Sequence, residues 1–279
     1  MQIKVLSALW GYEQYNLLAW MDKVRLAGFD GFDTWLPAGP DELSQLLNYI
    51  DKHEMTFVAH QYQAEGNDFK EFKTSFLSSL KRCVDAHPLL INSHTGRDYF
   101  TLEQNLELVD IVENLGLQKN IPIVHETHRG RFAYSPAIMR HYFNANTEFK
   151  ITADFSHWTC VSESMLDNFS EILDTAFTRT AHIHARIGYE EGPQVTDFRA
   201  PEWAYTTNKF FSWWDKIVDL RNADGLDVFT FTTEFGPFPY LPSLPYTRVP
   251  VVDLFEINCA MKDLLKARYS PVAAQSIRS

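Results

Sequence analysis

The sequence is poor in cysteine, with Cys83, Cys160 and Cys259 the only three in 279 residues. Three scattered thiols build neither a disulfide framework nor a Cys-rich zinc site, and they read as small apolar side chains kept reduced. Long apolar runs are missing too. No stretch has the length to span a bilayer, and the apolar opening segment turns polar at Gly11, too soon for a signal peptide. Basic residues are outnumbered, 25 Lys and Arg against 36 Asp and Glu, for a net charge of −11. That balance disfavours partners coated in phosphate, which are held by clustered cations. No low-complexity segment or linker divides the chain. No Gly-rich phosphate loop follows the first apolar run, where Trp10-Gly11-Tyr12-Glu13 stands instead. These absences lead us to expect a soluble, cytoplasmic, single-domain protein with no membrane or nucleic-acid partner.

What is present is enough to bury a large core: 45% hydrophobic against 22% charged residues. Short β-rich runs at residues 4–9, 31–35, 56–60, 89–93, 122–126, 150–154, 180–184 and 228–234 alternate with longer stretches of helical periodicity. The latter lie at 17–27, 41–53, 69–86, 102–115, 136–143, 203–221 and 249–266. Thr101 with Gln104 spells a capping box, and Gly28 and Gly116 stand where helices are expected to stop. Eight strands in alternation with about eight helices predict an α/β fold, a (β/α)8 TIM barrel, and the length is close to the roughly 250 residues usual for one. A doubly wound open sheet is the competing arrangement.

In such a barrel, function sits at the C-terminal ends of the strands. Read strand by strand, the polar residues there are His60, His94, Glu126, Asp154, His184 and Glu234. Any one acid alone caps the next helix or pairs with an arginine just as readily. Glu126, Asp154, His184 and Glu234 together, from four successive strands, put three carboxylates on one rim, where they repel unless something positive sits among them. One divalent cation, Mn²⁺, Mg²⁺, Co²⁺ or Zn²⁺, is the simplest such partner for three carboxylates and an imidazole.

The residues from Glu126 to Glu234 resemble the xylose isomerase-like barrels, the sugar phosphate isomerase/epimerase family. The likeness rests on the acid ending strand five, Asp154-x-x-His157, His182-x-His184, and Glu234-Phe235-Gly236-Pro237. It implies that Glu126, Asp154, His184 and Glu234 are the metal ligands, with His184 preferred over His182, which lies one layer deeper on the same face. It also implies that His157 contacts substrate oxygen or a second metal. The pattern departs from the ketose epimerases at Phe132, where they carry a glutamate, and at Glu190, where they carry an arginine; Arg186 is the candidate replacement.

The resemblance implies a metal-dependent isomerase or epimerase acting on a small sugar or hydroxyketone through an enediolate. Glu126 and Glu234, as in the ketose epimerases, would take a proton from one face and return it on the other. His60, His94, His157 and Arg186 are expected to contact substrate, and Trp10 and Trp158, with Trp35 and Trp203, to line its pocket. Two rivals remain: a phosphodiesterase of the apurinic endonuclease type, suggested by His60 and His94, and a barrel that binds sugar without transforming it. Trp213 and Trp214 are expected to pack on a helix. The loop of residues 235–245 suits a pocket wall or a homodimer face.

Overall fold

The computed structural model describes residues 1–146 and 149–269. Its eight strands follow from short runs rich in β-branched and aromatic residues: β1 (Gln2–Ala8), β2 (Gly31–Thr34), β3 (Thr56–Gln61), β4 (Leu90–Ser93), β5 (Ile123–Glu126), β6 (Ile151–Ala153), β7 (Thr180–Ala185) and β8 (Val228–Thr233). Each pairs in parallel with the next, and β8 returns to β1 with Leu6 opposite Thr232 and Ser7 opposite Thr233. The result is a closed (β/α)8 barrel without free sheet edges.

The helices are α1 (Leu17–Leu26), α2 (Pro40–Lys52), α3 (Phe69–Asp85), α4 (Leu102–Lys119), α5 (Pro136–Ala145), α6 (Phe155–Val161), α7 (Ser170–Arg179), α8 (Ala204–Ala223) and α9 (Leu254–Arg268). Side-chain caps fix where several begin. Asp68, Ser135 and Asp253 each accept a backbone N–H three residues on, and Thr101 forms the expected reciprocal box with Gln104. Gly28, at φ +82°, follows α1 as expected. Gly116 does not end α4. The helix runs one more turn and stops at Asn120, whose left-handed backbone (φ 53°) returns its N–H to the last carbonyls. Periodicity also leaves α6 and α7 out of the expected set: α6 starts two residues after β6 ends, and α7 runs directly into β7, so no polar stretch separates helix from strand at either junction.

Two apolar layers result. The larger lies between strands and helices and includes Trp20, Phe32, Phe76, Trp158, Trp213 and Trp214, so the Trp213-Trp214 pair does pack inward. A separate small cluster, Leu6, Val58, Leu90 and Val124, fills the barrel's interior. Two residues further along three of those strands the same face turns polar: His60 after Val58, Asn92 after Leu90, and Glu126 after Val124. Among the described residues no helix is long and apolar enough to cross a membrane.

Candidate active site

Period-two alternation places the site. His182 and His184 of β7, Thr230 and Thr232 of β8 and Asp33 of β2 share one buried hydrogen-bonded network. Above it, Glu126, Asp154, His184 and Glu234 come together, with one ligand atom from each lying within 4.8 Å of all the others. The four residues expected to form one group therefore do so, and Glu234 among them borders a cavity of about 390 Å³. His60, His94, Trp10 and Arg186 line that cavity, together with Asp33, Trp35, Tyr62, His128 and Tyr240.

His184 lies between carboxylates. Its Nδ1 is 2.8 Å from Glu234 Oε2 and 3.6 Å from Glu126 Oε2, while its Nε2 is 3.0 Å from Asp33 Oδ2. Burial opposes charge on the ring, but Glu234 and Glu126 overcome it and hold its pKa well above the ordinary value. Burial likewise works against ionisation of Glu126, yet the fields of His94 and His184 and a hydrogen bond from His94 leave its pKa well below the usual range. Glu234 is lowered in the same way by His184 and Arg186 against its burial.

Asp154 both caps α6, accepting the Ser156 N–H at 3.1 Å, and pairs with the Arg186 guanidinium. Burial is the larger influence on its pKa, and with Glu234 and Glu126 nearby it is pushed up to about 7 despite Arg186. Arg186 is itself fully enclosed. It donates to Ser156 Oγ at 3.1 Å, touches His157 Nε2 at 2.7 Å and comes within 3.6 Å of Glu234. Because a guanidinium only donates, His157 accepts at Nε2, and burial with the nearby charges of His128 and Arg186 keeps that ring neutral.

The site carries four buried carboxylates, Asp33, Glu126, Asp154 and Glu234, against one guanidinium. Glu126 Oε1, Glu234 Oε2 and His184 Nδ1 are buried and lack a well-formed hydrogen bond among the described residues. Three open donors of mixed oxygen and nitrogen type, in an anionic surround, fit a divalent cation. Asp154 fits less freely, since both its oxygens are engaged; it joins such a set by sharing Oδ2 with Arg186.

Trp158 corrects an expectation. It is fully buried on α6, donates its indole N–H to Ala133 O at 2.9 Å and packs on Phe155, away from the cavity. Four residues past the strand-end acid is one helical turn, which carries the ring outward into the helix layer. Trp203 also stands off the cavity, bonded to Thr196 and against Tyr189. His157 touches Arg186 and His128 but is not part of the cavity wall. His125 turns outward, between Phe132 and Phe149, so it does not compete for the site.

Sequence reasoning missed Asp33, Asn92 and Tyr240. The first was findable: Gly31, Asp33 and Trp35 are spaced by two, like Val124, Glu126 and His128, so an inward Asp33 was implied. Asn92, whose Nδ2 donates to Glu126 Oε2 at 2.6 Å, carried no charge to draw attention. Tyr240 sits in an irregular loop, where no periodicity operates.

No protein-family model matches the chain, and no curated protein matches it in sequence. Solved structures do match. The apo crystal structure of 3-keto-D-glucoside 4-epimerase from E. coli superimposes with a TM-score of 0.63 at 14% identity, over 95% of this chain and 100% of that one. A D-tagatose 3-epimerase-like protein gives 0.62 at 13%, over 98% and 99%. Endonuclease IV from Thermus thermophilus gives 0.58 at 13%, over 95% and 98%. At such identities the likeness is one of fold, a (β/α)8 TIM barrel.

Proposed function

We propose that the protein is a divalent-metal-dependent isomerase or epimerase acting on a sugar-sized hydroxyketone, with Glu126 and Glu234 as its acid and base. One observation carries the reading: both carboxylates have a buried oxygen without a well-formed hydrogen bond, and they meet at His184 beside a cavity that Glu234 borders. Glu126, Glu234 and His184 would hold the ion, with Asp154 as fourth ligand. An ion bound there supplies Lewis acidity, which makes a C–H beside a carbonyl easier to ionise.

The chain's own groups provide the rest. With their pKa values held low, Glu126 and Glu234 are ionised at neutral pH and ready to accept a proton. One ionised glutamate removes the proton from carbon, leaving an enediolate; the other has to enter turnover carrying a proton, which it gives to the opposite face, so that the two exchange protonation states in each turnover. The product is the epimer; delivery to the neighbouring carbon gives the aldose–ketose isomer instead. Arg186, with its charge fixed by Asp154, faces the developing oxyanion side of the cavity. Trp10 against Tyr240 and Trp35 against Tyr62 offer aromatic faces to the apolar face of a sugar ring. A cavity of about 390 Å³ favours a hexose-sized ligand over a three-carbon one. The epimerases among the structures of like fold support the same substrate class.

The test is deuterium exchange. Protein loaded with Mn²⁺ and incubated in D2O with ketohexoses and glycosidic ketosugars should place deuterium on a carbon beside the carbonyl, as read by NMR. Glu234→Gln should lower the exchange rate by about 10²–10⁴-fold with the fold kept. Unchanged exchange in that variant rules out its acid–base role.

A second reading has its own observation. His60, His94 and Glu126 also bring ligand atoms within 4.8 Å of one another, with His60 Nε2 and His94 Nε2 3.1 Å apart. That grouping supports a second ion and the phosphodiester chemistry of the apurinic endonucleases, while the net charge of −11 weighs against a nucleic-acid partner. Metal analysis separates them: one ion per chain favours the isomerase, two or three the nuclease.

A further inference from the structure

We propose that Asp33 is the residue that positions His184 for the metal, holding the ring's Nε2–H so that Nδ1 turns its lone pair toward Glu126 and Glu234. The inference rests on the metal-dependent reading above, and it follows from tracing each proton through the buried network.

Thr232 Oγ1 donates to Asp33 Oδ2 at 2.9 Å, which uses its single proton. The 3.0 Å contact between His182 Nε2 and Thr232 Oγ1 must then have the ring nitrogen as donor. His182 Nδ1 accepts from Thr230 Oγ1 at 2.6 Å in turn. A neutral His182 with its proton on Nε2 is therefore built into the network. His184 Nε2, 3.0 Å from the same Asp33 oxygen, faces a carboxylate that offers no proton, so the nitrogen carries it. Asn92 Nδ2, 3.3 Å from that nitrogen, turns one of its two hydrogens to Glu126 Oε2 at 2.6 Å, and the shorter contact to the Asp33 carboxylate decides that His184 Nε2 donates. Nδ1 of His184 remains, facing the two glutamates, and is the nitrogen that an ion would take in exchange for a proton.

Asp33 comes from β2, the far side of the barrel from β5 and β6, and is 2% exposed. A buried carboxylate behind a histidine fixes the tautomer, restrains rotation of the ring and raises the basicity of the other nitrogen. Without it, a half-turn of the His184 ring would offer Nε2 or a protonated nitrogen to the ion. Asp33 also borders the cavity and lies 3.9 Å from His60, but its contact with the proposed ligand set is the one to His184.

The experiment titrates Co²⁺ into metal-free wild-type, Asp33→Asn and Thr232→Val proteins, following heat and the visible d–d absorption. Asp33→Asn, which keeps the volume and removes the charge, should weaken Co²⁺ binding by about 10–100-fold and alter the absorption bands. Thr232→Val removes a different bond to the same oxygen and should change the affinity by under about tenfold, with the bands unmoved. An unchanged Asp33→Asn, or equal losses in the two variants, would overturn the role given to Asp33. A wild type that takes up no Co²⁺ overturns the metal-dependent reading itself and is a separate outcome. If Asp33→Asn does not fold, long-range ¹H–¹⁵N spectra of the Zn²⁺-loaded wild type decide: His184 should show a protonated, hydrogen-bonded Nε2 and a metal-shifted Nδ1, and the reverse pattern refutes the assignment.

Discussion

At the scale of single residues, the site is governed by which cation balances Asp33, Glu126, Asp154 and Glu234. In the metal-free protein a proton on His184 Nδ1 does part of this, which is why burial fails to depress that ring's pKa. Metal and proton compete for the same lone pair. Below the raised His184 pKa the proton must leave before an ion binds, so affinity should rise with pH by about tenfold per unit for the one proton released. Below about 7, Asp154 adds a second. Calorimetry in buffers of different ionisation enthalpy counts these protons directly; a pH-independent affinity would show that Nδ1 is not a ligand. Arg186 supplies the permanent charge. Arg186→Leu leaves Asp154 buried and unpaired, and should destabilise the metal-free protein by about 3–5 kcal/mol in denaturant titration. A loss under about 1 kcal/mol would mean that Asp154 is already protonated there.

Elements decide how far those residues are held apart. The turn after β8 lies against the ring of Trp10, and a Cβ on Gly236 would meet that ring at 2.0 Å. Gln194 fixes the turn from both sides, accepting the Gly236 N–H at 2.7 Å and donating to its carbonyl at 3.2 Å. Since the backbone is clamped, Trp10 has to yield. Gly236→Ala should therefore raise KM several-fold while leaving metal affinity near wild type, measured by steady-state kinetics beside metal titration. This packing was not legible in the sequence, because it joins residues 226 positions apart in irregular segments. The strands were legible, because each is a short apolar run with polar flanks, and only their ends move by a residue or two. The meeting of Glu126, Asp154, His184 and Glu234 was legible for the same reason: Glu126 and Glu234 end runs whose period of two already points them inward. Trp158 was misjudged because one period was applied across the β6–α6 junction, where alternation gives way to helical winding. Asp33 was overlooked because its strand is only four residues long and two of its neighbours, Phe32 and Trp35, dominate the eye as hydrophobic signal.

For the whole molecule, closure is what makes a carboxylate-rich floor tolerable. All eight strands are tied in a ring, so the barrel cannot spread locally to relieve repulsion without losing parallel pairing elsewhere. Of the four acids only Asp154 has its charge disfavoured by the fold, and a ligand that binds only the folded state should add stability. An ion present at a hundred times its Kd adds about 2.7 kcal/mol. For a domain of this size, about 2–4 °C accompanies each kcal/mol, so saturating Mn²⁺ should raise Tm by about 5–10 °C. The gain should shrink when Glu126→Gln removes a carboxylate from the shared set. In the metal-free state that same variant should melt below wild type, since it removes a carboxylate whose charge His94 and His184 favour. Differential scanning calorimetry of both proteins, with and without Mn²⁺, measures all four values. If wild type gains nothing from the ion, or if Glu126→Gln gains as much, the floor of this barrel is balanced by Arg186 and protons alone.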